Sequence, residues 1–240
     1  MSNRVSTNLV IVLALILLAS STLAHVPYFE GETGDFNGDN PFVVRNSIEQ
    51  SIAVYSWLQN ITPQSIGDID VYEFEVDDPV RVYIEAIVPV CMGYEDFAPW
   101  FALVGPGLPE TGYELPFEIP EDYGAIVMEN TEPGEERETF YEFFGGKSYY
   151  EGPVFDEMVY EPGTYYVYYW NPYATSGDYV AVLGGEEIWR LPDIIRALIL
   201  TPMIRQDKEL HIECIDPPSL SDGIETFETV NPTFGTQAEF

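Results

Sequence analysis

The sequence predicts a mainly-β protein, an antiparallel, jelly-roll-like β-sandwich with long loops and a short C-terminal helix. Three observations carry that expectation. Short aromatic and β-branched segments recur between turns rich in Pro and Gly, as they do in sandwiches. Polar and apolar residues alternate within them at the period of two that a pleated strand imposes. Helical spacing of apolar residues sets in only after Glu186.

Residues 1–24 read as a secretory signal. Arg4 supplies the positive start, 9–18 is an unbroken apolar run, and small residues at 19–24 place Thr22 and Ala24 at the −3 and −1 positions of a cut before His25. The run falls short of the ~20 residues that span hydrocarbon; an uncleaved N-terminal anchor is the alternative reading. No later run is long enough to span a bilayer, so no transmembrane span is expected after cleavage. The expected location is secreted or extracytoplasmic, at the cell surface or in a periplasm-like space.

Residues 25–47, rich in Gly, Asn and Asp, are expected as an N-terminal arm or loop. The sandwich is placed at 48–185. Its strand signals are "SIAVYSWL", then "DVYEFEV" with Tyr72, Phe74 and Val76 on an apolar face and Glu73 and Glu75 opposite, then "RVYIEAIVPV", "WFALVGPG", "GAIVMEN" and "ETFYEFF", and last the pair "GTYYVYYW" and "DYVAVLGG". Two long loops are expected, at 105–123, where prolines forbid a central strand, and at 145–163. In 186–215, Leu191, Ile194, Ile195, Leu198 and Ile199 fall at helical spacing, with Arg190, Arg196 and Arg205 among them and Lys208 beyond. The helix is expected to pack on the sandwich; the sharper reading makes it a docking element for an envelope or partner. Residues 216–240 read as an acidic, largely disordered tail.

The chain has 9 basic and 41 acidic residues, a net charge of −32. Such a charge repels phosphate backbones and removes nucleic acid from the partners. It suits solubility in a salty or calcium-containing exterior, a halophilic source, or a protein with several calcium sites. Two cysteines, Cys91 and Cys214, favour one disulfide in an exported chain; a thiolate metal site is the rival.

The runs "DIDVYEFEV", "VRVYIEAIV", "ALVGPG" and "PGTYYVYYWNP…SGDYVAVLG" resemble the bacterial pre-peptidase C-terminal domain. Asp68, Asp70, Tyr72, Phe74 and Val76 match its early frame; Gly163, Tyr165, Val167, Gly177, Tyr179 and Val182 match its late one. The resemblance spans 68–184, and the long middle insertions have no counterpart in it. It implies a secreted, non-catalytic sandwich that binds or assists outside the cell, in a class where calcium binding occurs. The start, "AHVPYFEG", is similar to a set of secreted prokaryotic proteins.

Three constellations could carry chemistry. Asp35, Asn37 and Asp39 give the D-x-N-x-D half of a calcium loop, with Asn46 where the bidentate acid normally stands; a polar turn is the plainer reading. His25, once N-terminal, would offer its amine and ring to copper, and His211 is the other histidine in the chain. On the strand "YYVYYW", Tyr166, Tyr168 and Trp170 share one face, an aromatic row that could stack on an extracellular glycan unless a loop or the helix covers it. With two histidines, no HExxH, no CxxC and no phosphate loop before a helix, catalytic sets fail, and among 41 acids no carboxylate pair stands out. The sequence therefore points to a non-catalytic binding or accessory protein with calcium as an expected ligand. A surface protein is the alternative partner to a glycan. A copper protein built on His25 and an envelope-docked structural protein are the competing functions.

Overall fold

The computed structural model describes residues 25–30, 36–59, 67–173 and 175–215. The signal segment 1–24, the tail 216–240 and Asp35 lie outside the described residues.

Two sheets face each other. One runs β1(Val26–Phe29), β3(Ile52–Leu58), β12(Gly177–Leu183), β5(Val80–Pro89), β9(Lys147–Tyr150), β8(Thr139–Glu142), and β10(Val154–Val159) joins it by pairing with β5. The ten residues of β5 are shared along one side, Val80–Glu85 with β10 and Val88 and Pro89 with β9. The other sheet runs β2(Phe42–Val43), β4(Ile69–Val76), β11(Gly163–Trp170), β6(Trp100–Gly105), β7(Gly124–Met128). Neighbouring strands are antiparallel except β1 on β3 and β2 on β4, which are parallel. The sandwich read from the sequence is thus the architecture found, and the stretch 25–47 adds a strand to each sheet.

The core follows from strand alternation. Val82, Ile84, Ala86 and Val88 of β5 meet Tyr72 and Phe74 of β4 and Tyr165, Val167 and Tyr169 of β11, all essentially out of water. Each such side chain contributes about 1.5–3 kcal/mol of burial. A polar strap crosses this apolar layer. Tyr179 on β12 donates to Asp70 on β4 (2.6 Å), its hydroxyl meets that of Tyr72 (3.1 Å), and Tyr72 meets Ser56 on β3 (2.8 Å). Satisfied buried hydroxyls of this kind fix the register of one sheet on the other.

One sequence expectation needs correction. The stretch 145–163 is not a loop: it carries β9 and β10. Both strands are short and half polar because each pairs over only part of β5, so neither shows a long alternating run. The helix expected after Glu186 is present as α1(Leu191–Ile204), the one helix among the described residues with a defined span. Pro202 sits inside its last turn, and the helix stops two residues later. The residues it turns inward are Asp193, Ala197, Leu200 and Ile204; Leu191, Ile195, Leu198 and Ile199, whose spacing predicted the helix, face out. Asp193 explains the choice. Its carboxylate accepts from the backbone N–H of Arg190 (3.0 Å) and from the side chain of buried Gln50 (2.9 Å), which fixes the rotation of the first turn.

The loop 105–123 lies flat on the outer face of the five-stranded sheet. Phe117 stacks on Tyr168 at 4.0 Å between ring centres and meets Trp170 edge-on at 5.5 Å. Gly124 lets it approach: a Cβ there would stand 2.1 Å from the Leu108 carbonyl oxygen and 2.3 Å from that of Pro109. Gly124→Ala is therefore expected to push the loop off the sheet, costing about 1–3 kcal/mol. Limited proteolysis should then cut within 108–120; an unchanged digestion pattern would remove the close approach as the cause of docking.

Candidate functional site

A concave feature among the described residues lies on the outer face of the seven-stranded sheet. Alternate residues supply its floor: Ala53 and Tyr55 from β3, Tyr83, Glu85 and Ile87 from β5, Val180 and Val182 from β12. The β8–β9 hairpin forms a wall through Phe140, Tyr141, Phe143 and Phe144, and His25 with Ser51 stands at one end. The groove measures about 930 Å³.

Its polar groups are mostly acidic. Glu85 accepts from the Tyr83 hydroxyl (2.8 Å), and burial pushes its carboxyl above the usual range while that bond partly offsets it. Burial next to Glu85 raises the Tyr83 phenol as well. Glu142 holds the hairpin turn by accepting from the backbone N–H groups of Phe144 (2.6 Å) and Gly145. Glu151 and Asp156 stand at the rim, where Arg81 makes a two-pronged pair with Asp156 (2.6 and 2.7 Å). That pair is solvent-exposed, so it orders the rim more than it stabilises the fold.

The residues predicted from sequence are scattered around this groove. His25 lines it, hydrogen-bonded through Nδ1 to the Ser51 hydroxyl; burial pushes its ring down to about 4, so it is neutral at ordinary pH. His211 is elsewhere. It packs on Trp57 with ring centres 5.0 Å apart, and its Nδ1 lies 2.7 Å from Asp178. Ser51 immediately precedes β3 and Trp57 lies near its far end, a run of roughly 20 Å at the rise of a strand. The two histidines are not brought together, and the notion of one copper ion held by both is corrected by that separation. Asn37 accepts from the backbone N–H of Asp39 (3.1 Å), the hydrogen bond of a polar turn, and Asp39 points into solvent. Among the described residues no three His, Cys, Asp or Glu side chains converge. Tyr166, Tyr168 and Trp170 do share the outer face of β11, but the row is not an open platform. The 105–123 loop lies over it, and Trp170 is buried. Cys91 and Cys214 form a disulfide.

No protein-family model matches the chain, and no curated protein matches it. Among solved structures it is similar to the pre-peptidase C-terminal domain of collagenase from Bacillus anthracis, at 14% identity and a TM-score of 0.31, over 59% of this chain and 95% of that domain. A likeness at this level assigns neither ligand nor activity, and the sandwich described above stands on its own strand register.

The groove itself was missed at the level of sequence. Its floor is written in every second residue of three strands that lie as far apart in sequence as Ala53 and Val182, and its wall comes from the hairpin whose second strand reads as loop. The one local signal was the outward row Arg81, Tyr83, Glu85 within "VRVYIEAIV", polar and aromatic on the face opposite the aliphatic core.

Proposed function

We propose that the chain is a non-catalytic binding module of the cell exterior whose ligand seat is this groove, not the aromatic row of β11. One observation carries the reading: the aromatic side chains of Tyr83, Phe140 and Tyr141 and the acids Glu85, Glu142 and Glu151 line the same groove of about 930 Å³. Ring faces stack on the apolar faces of pyranose rings. Ionised carboxylates accept strongly from sugar hydroxyls and from ammonium groups. The density of acid repels uronic or sulfated chains. The ligand class that fits is a neutral or amino-sugar oligosaccharide.

Calorimetric titration with neutral, amino and uronic oligosaccharides tests this. Neutral or amino-sugar chains should bind, and Tyr83→Ala should weaken that binding roughly ten-fold, the loss of one stacking contact worth about 1–1.5 kcal/mol, with little change in melting temperature. A preference for uronic chains, binding indifferent to Tyr83→Ala, or no binding in any class overturns the proposal.

A further inference from the structure

Glu85 stands mid-strand on β5, an interior strand of the seven-stranded sheet, and is half-buried on the floor of the groove. Its neighbours across the ladder are Val182 on β12 and Val154 on β10, so neither side offers a cation. Among the described residues one donor reaches its carboxylate, the neutral Tyr83 hydroxyl at 2.8 Å. A carboxylate drawn partly out of water is normally paired with a cation or protonated.

The rest of the lining supplies no cation. Glu49, Glu142, Glu151, Asp156 and Glu186 also line the groove, against a single arginine, and the His25 ring is neutral. That arginine, Arg81, is held at the rim by both prongs of its pair with Asp156. Glu142 is engaged with the backbone of the hairpin turn, and β3 and β9 bring only the phenols of Tyr55 and Tyr149. Glu151 adds like charge beside Glu85. An ammonium group would meet both partners it needs here: the carboxylate attracts it by charge, and the Tyr83 ring, on the same face of β5 two residues away, by its quadrupole.

We infer that the groove selects a ligand carrying a protonated primary amine, with Glu85 as the acceptor of the ammonium, so that the glycan it takes is a de-acetylated amino sugar. The inference rests on the groove reading and narrows its ligand class.

Calorimetric titration of the full chain with a glucosamine oligomer and with its N-acetylated counterpart of equal length tests this. The amine form should bind about ten-fold more tightly or better, the range of a charge-assisted hydrogen bond. Glu85→Gln keeps an acceptor for Tyr83 and should bring the two ligands within about two-fold of each other. Burial, with Glu151 beside it, holds the Glu85 carboxyl above its ordinary range, the Tyr83 bond partly offsetting them. The preference of the parent should therefore shrink as pH falls from about 6 to about 4, because the carboxylate takes up a proton while the amine stays charged. A ratio that is flat across this window overturns the inference. Equal or tighter binding of the N-acetylated form, weakened by Tyr83→Ala, overturns it and leaves the groove reading standing. A preference for the amine that survives Glu85→Gln overturns it too, because the net charge of −32 then does the selecting. No binding of either form overturns the groove reading and this inference together.

Discussion

Replacing Cys91 and Cys214 together by alanine is expected to lower stability by about 3–5 kcal/mol, a drop of roughly 6–20 °C in melting temperature. The two residues are 123 apart in sequence with Cα atoms 5.0 Å apart, so the bond closes most of the sandwich into one loop, and the entropy it removes from the unfolded chain grows with that length. Around it the backbone N–H of Met92 donates to the Ile215 carbonyl (2.7 Å), and Lys147 reaches Glu209 and Asp207. These bonds tie the segment after α1 to the body, but the main core does not depend on them. The variant should therefore keep its sheet content by circular dichroism while its thermal midpoint falls. A midpoint within about 2 °C of the parent would show that the closed loop contributes little to the unfolded ensemble.

Asp178→Ala is expected to cost about 2–4 kcal/mol. The carboxylate is 3% exposed and accepts from the Tyr94 hydroxyl (2.6 Å), from the His211 backbone N–H (3.1 Å) and from the ring Nδ1 of His211 (2.7 Å). Its removal strands a buried phenol and frees the segment carrying Cys214. The pair also has a pH signature. The hydrogen bond to Asp178 raises the His211 pKa above its ordinary value. Stability from that shift is fully present below the unfolded value of about 6.5 and is lost as pH rises through the higher folded value. His25 acts in the other window, because a ring held neutral down to about 4 loses stability as pH falls from about 6.5. Melting temperature across pH 6.5–8.5 should fall in the parent and flatten in Asp178→Asn. Equal slopes in the two proteins would sink the assignment.

Most strands were legible because their alternation is strict where one face is core. "DVYEFEV" and "GTYYVYYW" show Tyr72, Phe74, Tyr165, Val167 and Tyr169 buried at every second position. The rotation of α1 was not legible. Its apolar residues nearly encircle the helix, so periodicity alone left two faces equivalent, and the deciding contact, Asp193 with Gln50, joins residues 143 apart. The row Tyr166, Tyr168, Trp170 was placed on the correct side of its strand, but its cover by Phe117 is a tertiary event that a strand period does not encode. Strands β9 and β10 escaped because each is short, of mixed composition, and pairs with only part of β5, so neither shows a long alternating run.

The pairing of β3 with β12 and of β4 with β11 sets a timetable. Tyr72 pairs with Val167, about ninety residues further on, and Tyr55 with Val180 beyond that. A chain made from its N-terminus at about 5–20 residues per second leaves β3 and β4 without their partners for several seconds. During that interval, two strands rich in Tyr, Phe and Val present open backbone edges, the state in which nascent chains aggregate. The acidic surplus then has a task while the chain is still unfolded: mutual repulsion keeps unfinished copies apart until β11 and β12 arrive.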